Sequence, residues 1–379
     1  MDSGASTLSL SSSLELQNPN SDPYEGSFVE PSFFQTQTGV PTQFICPKVD
    51  LVNAHEELME PVVDLEGFFR GDSVATQQAA TIIRAACLRH GFFQVINHGV
   101  DSRLISAAYD HMDHFFNQPT SHKLKARSLP GNMWGYSGAH AHRFSTELPW
   151  KETLSFGFHD NSLDPVVVDF FTSTLGKDYQ QTGVVYQKYC EEMKRVSGVM
   201  MELLAISLGV DRLHYKKYFE DGYSIMRCNY YPPCQEPSLA LGTGAHCDPT
   251  SLTILHQDQV GGLQVYSNNT WQTVRPRHDT LVINIGETFM ALSNGKYKSC
   301  LHRATVNSYK ARRSLAFFVN PREDKVVRPP SDLLGTQSTR MYPDFTWSDL
   351  LQFTQNHYRA DDATLQNFTK WLLSSKSLI

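Results

Sequence analysis

The stretch LGTGAHCDPTSLTILHQDQVGGLQV, Leu241 to Val265, governs how the rest of the chain is read. Within it, 252–257 and 262–267 are short runs rich in Leu, Ile, Val and Thr, parted by the turn Gly261-Gly262. Runs of this length bounded by turn residues predict strands. Working outward, the same texture covers 224–231, 271–275, 280–290, 299–306 and 314–320, with Asn268-Asn269 and Asn294-Gly295 as further turns. Many short strands at this spacing predict an antiparallel sandwich or barrel of the jelly-roll kind.

Upstream the period is helical. Ile82, Ile83, Ala86 and Cys87 recur at helical spacing between Ala75 and His90, and Gly91 is the stop signal. Phe92 to Ile96 reads as a buried strand, Asp101 as the cap of a helix to Phe116, and Val184 to Leu208 as a long helix with one apolar face. A short strand is expected at Pro61 to Leu65, and helices at Trp347 to Phe353 and Asp362 to Leu373. The Ser-, Pro- and Asn-rich lead-in, 1–43, has too little apolar surface to offset chain entropy and is expected to lack structure. The fold class is mixed α/β (α+β), a helix-rich half followed by a β half.

Composition excludes several functions. The 379 residues are 40% hydrophobic with 23 glycines, which is globular composition, and no run reaches the ~18 apolar residues of a membrane span. A net charge of -6 argues against nucleic-acid binding, which needs basic excess. Seven scattered cysteines without a C-x-x-C pair predict reduced thiols and a cytoplasmic protein with no export signal.

The 15 histidines must be sorted by geometry. Three H-x-D strings occur: His111-x-Asp113, His246-x-Asp248 and His256-x-Asp258. On a helix, residues two apart diverge by about 200°, so the first pair is expected on a solvated helix face. The third precedes the Gly261-Gly262 turn and is expected at a hairpin tip facing water. His246 and Asp248, if extended, project from one face and can join His302 from a neighbouring strand. Two histidines and a carboxylate suit Fe(II) with open positions, or zinc. Arg312-x-Ser314 places a guanidinium and a hydroxyl on one strand face, able to hold a carboxylate; an exposed basic pair Arg312-Arg313 is the alternative.

The ordered set Asn229-Tyr230-Tyr231-Pro232-Pro233-Cys234, His246-x-Asp248, His302 and Arg312-x-Ser314, with GFFQVINHGV at 91–100, resembles the plant Fe(II)/2-oxoglutarate-dependent dioxygenases over roughly 60–360. Leu148 to Thr153 (LPWKET) and 241–265 are similar to the branch of that family that acts as gibberellin 20-oxidases. The resemblance implies a double-stranded β-helix (jelly roll) at 221–322, preceded by a helix-rich region at 60–210 and followed by a helical segment at 323–379. It implies that His246, Asp248 and His302 bind the metal and that these three and Arg312 are catalytic. Arg312 and Ser314, helped by Tyr231, would hold the distal carboxylate of 2-oxoglutarate, with Asn229 near its iron-bound end. The implied cofactors are Fe(II), 2-oxoglutarate as co-substrate, O2, and ascorbate as reductant.

The implied reaction is successive oxidation of C-20 of C20 gibberellins, through alcohol and aldehyde, to a C19 lactone. The partner would be a small diterpenoid carboxylate, with no nucleic acid, no membrane and a monomeric state. Arg143, Lys151 and Tyr136 are the candidate substrate residues, with Trp134 beside them. The chain departs from the usual family pattern at Ala245 (Pro), Glu147 (Lys) and Cys46 (Trp). A dioxygenase acting on a flavonoid or another hormone precursor, and a cupin-like metal- or ligand-binding protein without turnover, are the competing readings.

Overall fold

The computed structural model describes residues 39–128, 134–140, 147–160, 165–334, 339–356 and 363–376. Of the 1–43 lead-in, 1–38 lies outside the described residues. Its end is ordered: Thr42–Phe44 forms a 3-10 turn, and the buried Phe44 ring meets Trp150 edge-on.

Fifteen strands run in chain order among the described residues. Five come early: β1 Glu56–Glu57, β2 Val62–Asp64, β3 Phe92–Ile96, β4 Gly135–Gly138 and β5 Glu152–His159. Eight form the core: β6 Tyr223–Tyr231, β7 Leu241–His246, β8 Leu252–Gln257, β9 Leu263–Ser267, β10 Thr270–Thr273, β11 Leu281–Ile285, β12 His302–Thr305 and β13 Arg312–Val319. A last ribbon pairs β14 Val326–Val327 with β15 Phe345–Thr346. The core strands pass between two sheets. β6, β8, β11 and β13 belong to an eight-stranded sheet of order β2-β3-β11-β8-β13-β6-β5-β4. β7, β9, β10 and β12 belong to a five-stranded sheet of order β1-β10-β9-β12-β7. This is a jelly roll, and side chains of alternate residues point into its barrel or onto its outer face.

Helices cover the outer face of the large sheet: α1 Ser73–Arg89, α2 Ser102–Phe116, α3 Val166–Leu175 and α4 Gln180–Leu208. Asp72 caps α1 by accepting from the Val74 and Ala75 amides, and Asp101 caps α2 by accepting from Arg103. Each such cap is worth roughly 1 kcal/mol. The apolar stripe of α4, including Tyr186, Met193, Val196, Met200 and Leu203, joins Met226, Leu315 and Phe317 of the sheet in the main core. Behind the barrel, α5 Glu287–Leu292, α6 Trp347–Asn356 and α7 Thr364–Lys376 complete the molecule. No helix among the described residues is long and apolar enough to cross a membrane. All seven cysteines are free thiols.

Several expectations need correction. The strand expected over 280–290 stops at Ile285, and α5 begins at Glu287. The cause is Gly286: a Cβ there would lie 1.9 Å from the Thr250 carbonyl oxygen, because the 248–250 loop presses against it. The half expected to be helix-rich also contributes β4 and β5, which extend the large sheet past β6. Their period-two signal was obscured by buried polar positions: Thr153 and Ser155 are inside, as are Leu154 and Phe156. Glu152 is buried too, because its carboxylate accepts from Lys123 and from the Tyr136 hydroxyl, both at 2.7 Å.

Candidate active site

β7 and β12 pair antiparallel with His246 directly opposite His302, which brings the two imidazoles to a centroid distance of 4.3 Å. Asp248, just beyond the end of β7, completes the group. Its Oδ1 lies 3.5 Å from His246 Nε2 and 3.6 Å from His302 Nε2. These are the one group of three or more His, Cys, Asp or Glu residues among those described that could hold a metal ion, with ligand atoms within 4.8 Å of one another.

Each ligand atom is aimed by a second contact. His246 Nδ1 donates to the Gly244 carbonyl at 2.9 Å, and His302 Nδ1 to the Cys300 carbonyl at 3.2 Å. A carbonyl only accepts, so each Nδ1 carries a proton there and each Nε2 is turned toward Asp248. Asp248 Oδ2 accepts from Thr253 Oγ1 at 2.6 Å and Asn284 Nδ2 at 3.0 Å, leaving Oδ1 turned to the histidines. Burial, and then the neighbouring His302, push the His246 imidazole down to about 3, so it stays a neutral ligand. Burial alone would raise the Asp248 carboxyl; His302, His246 and the hydrogen bonds from Thr253 and Asn284 outweigh it and hold the group below the usual carboxylate range.

Deeper in the barrel, Arg312 and Ser314 of β13 face inward on alternate positions. Arg312 pairs in register with Tyr231, and its guanidinium carbon lies 4.8 Å from that ring. Ser314 is opposite Asn229, whose amide donates to it at 3.3 Å. Arg312 is 2% exposed, yet no carboxylate among the described residues pairs with it and its Nε has no acceptor. A buried cation left in this state calls for an anionic ligand. The two-histidine, one-carboxylate donor set fits Fe(II), and the orphaned guanidinium N–H fits a dicarboxylate co-substrate beside it.

The candidate substrate residues separate. Lys151 is buried, its Nζ donating to Thr243 Oγ1 at 3.1 Å, and Thr243 in turn meets the Tyr231 hydroxyl at 3.3 Å. Tyr136 is instead a core residue, edge-on to Phe115 with its hydroxyl donated to Glu152. Trp134 is exposed. Arg143 lies outside the described residues.

Among the described residues the other H-x-D strings join no metal-holding group, and the water-facing positions expected for them are half-buried ones with protein partners. The Tyr109 hydroxyl lies 2.9 Å from His256 Nδ1, and Asp258 accepts from the Arg313 amide at 2.7 Å. On α2, His111 Nδ1 lies 2.9 Å from Thr182 Oγ1 and Asp113 is ion-paired with Arg313. Both strings are drawn in because α2 packs across the outer face of β8 and β13. The sequence reading also missed Thr253, Asn284, Gln257 and Thr243. Asn284 carried a usable signal, a lone amide inside the apolar run Leu281–Ile285.

The family comparisons agree with this geometry. Residues 222–321 match the model described as the 2OG-Fe(II) oxygenase superfamily, and 61–172 match the non-haem dioxygenase N-terminal model named for morphine synthesis. A gibberellin 20 oxidase 2 of Oryza sativa subsp. japonica is 58% identical over 88% of this chain and 85% of its own length.

The chain belongs to the 2OG-Fe(II) oxygenase superfamily.

A gibberellin 20 oxidase 2 of Arabidopsis thaliana is 52% identical over 92% of each chain. Among solved structures, JOX2 in complex with 2OG, Fe and JA superposes with a TM-score of 0.78 at 32% identity, covering 89% of this chain and 96% of that one. A rice dioxygenase for auxin oxidation gives a TM-score of 0.68 at 25% identity over 81% and 99%. As a 2OG-Fe(II) oxygenase, the chain is an oxidoreductase that uses Fe(II) and 2-oxoglutarate.

Proposed function

We propose that this oxygenase is a gibberellin 20-oxidase, oxidising C-20 of C20 gibberellins in successive steps to C19 products. One observation carries the chemistry: the buried His246–Asp248–His302 group shares a barrel with an arginine that is buried and has no acidic partner. Likeness to gibberellin 20 oxidases over most of the chain supports the substrate.

In this reading His246, Asp248 and His302 would hold the iron, and Thr253 and Asn284 fix the carboxylate so that Oδ1 is the atom offered to it. Arg312 and Ser314 take the distal carboxylate of 2-oxoglutarate, with the Tyr231 ring against the guanidinium and Asn229 steadying Ser314. The chemistry such a site would supply when loaded is oxidative decarboxylation of 2-oxoglutarate by O2 to succinate and carbon dioxide, one oxygen atom entering succinate and the other oxidising a substrate C–H bond. The chain's part is to orient the reactants and exclude water. Lys151 is the cation offered to a substrate carboxylate, since it lies inside the barrel close enough for its charge to act on His246. Tyr136 is withdrawn from that role by its commitment to Glu152.

Product analysis tests the reading. Purified protein with Fe(II), ascorbate, 2-oxoglutarate and a C20 gibberellin is expected to form succinate together with C-20 alcohol, aldehyde and the C19 lactone. Succinate released only with a flavonoid would move the substrate assignment. Metal retention without any succinate would favour the cupin-like binder.

A further inference from the structure

Gln257 ends β8 on the inward face, directly opposite Ser314 of β13, which is itself opposite Asn229 of β6. One row of three buried polar side chains therefore crosses three strands, with Arg312 and Tyr231 in the next inward row. Arg312 Nη2 donates to Gln257 Oε1 at 3.1 Å. A guanidinium can only donate, so the glutamine must present its oxygen and turn Nε2 away. Gln257 is 4% exposed, and Nε2 has no acceptor among the described residues; nor has Arg312 Nε. Two adjacent side chains thus hold buried donors that the protein itself does not satisfy.

We propose that Gln257 is a positioning residue for 2-oxoglutarate: it fixes the Arg312 guanidinium through a neutral acceptor and so keeps the whole positive charge for the distal carboxylate. This rests on the reading that Arg312 binds that carboxylate. The neighbouring arginine shows what an acid would do instead. Arg313, on the outer face, is held by Asp258 and Asp113, and its charge is compensated within the protein. A carboxylate at 257 would do the same to Arg312 and compete with the incoming ligand. An amide of the same shape orients the guanidinium without neutralising it.

The test is calorimetric binding to the Mn(II)-loaded full chain, with 2-oxoglutarate and with 2-oxobutanoate, which has the same 2-oxo acid end and no distal carboxylate. In the unaltered protein 2-oxoglutarate should bind far more tightly. Gln257→Glu should weaken 2-oxoglutarate on the order of a hundredfold and leave 2-oxobutanoate unchanged. Gln257→Leu, which removes the acceptor without adding charge, should weaken 2-oxoglutarate roughly tenfold. Arg312→Met serves as the reference. If it removes the preference for 2-oxoglutarate while Gln257→Glu keeps it, the role of Gln257 is overturned. If Arg312→Met itself leaves the preference intact, the clamp reading fails first. Equal weakening of both ligands by Gln257→Glu would mean general damage to the barrel and would also overturn the proposal.

Discussion

The inner and outer faces of β13 each carry an arginine, Arg312 and Arg313, and do opposite things with it. Outside, Arg313 pairs with Asp113 and Asp258, and His256 meets Tyr109. A cleft of about 680 Å³ lies there, lined by Tyr109, Asp113, His256, Asp258 and Arg313, and the arginine is already spent on the two acids. Inside, Arg312 has an amide for a neighbour and no acid among the described residues, and Asp248 keeps one oxygen aimed at the Nε2 atoms of two histidines. The outer set is finished as a structural network. The inner set is complete only with a cation and an anion from solution. Residue type alone does not separate the faces; what is left unsatisfied does.

The largest effect should come from the ligands. Asp248→Ala or His302→Ala should lower succinate-forming turnover by at least about a thousandfold, while the thermal melt of the metal-free protein changes little. Next, Arg312→Met should raise KM for 2-oxoglutarate about a hundredfold without loss of stability, because it removes an uncompensated buried charge. Arg313→Met should do the reverse: unchanged KM and about 1 kcal/mol lower stability in urea, the scale of a part-exposed ion pair. Asn284→Ala leaves Asp248 Oδ2 held by Thr253 alone and should weaken metal affinity about 10- to 100-fold, measured by competition with a chelator. The smallest effect concerns pH. Burial, and then His98, push the His256 imidazole down to about 4. The unfolded chain takes up that proton near the ordinary value and the folded protein only near 4. Its neutral form therefore contributes stability above about 6.5 that is lost as pH falls towards 4. His256→Gln should shrink the loss of stability between those limits by about 1 kcal/mol, allowing for its part exposure.

The parts of the fold that were legible in the sequence are those whose apolar residues form an unbroken run or stripe. Phe92–Ile96, Leu252–Gln257 and the helix ending at Phe116 read correctly because apolar period and punctuation agree. β7 was obscured because Leu241–His246 contains two glycines and few β-formers; Gly242 is required there because a Cβ would lie 2.5 Å from the Tyr231 ring. At the site, His246, Asp248, His302, Arg312 and Ser314 stood out by motif order. Thr253, Asn284 and Gln257 did not, because what marks them is a partner 5, 36 and 55 residues away. His256 and Asp258 were misjudged for the same reason: their partners, Tyr109 and Arg313, lie 147 and 55 residues away.

The contrast between the faces reduces to one paired titration. Co(II) added anaerobically to His246→Ala and His256→Ala, and followed by its visible d–d absorption, reports directly which H-x-D stretch holds metal. The expected result is loss of the bound-cobalt spectrum in His246→Ala and an unchanged spectrum and affinity in His256→Ala. Equal binding by both variants, or loss in His256→Ala alone, would contradict the assignment of the inner face as the metal site.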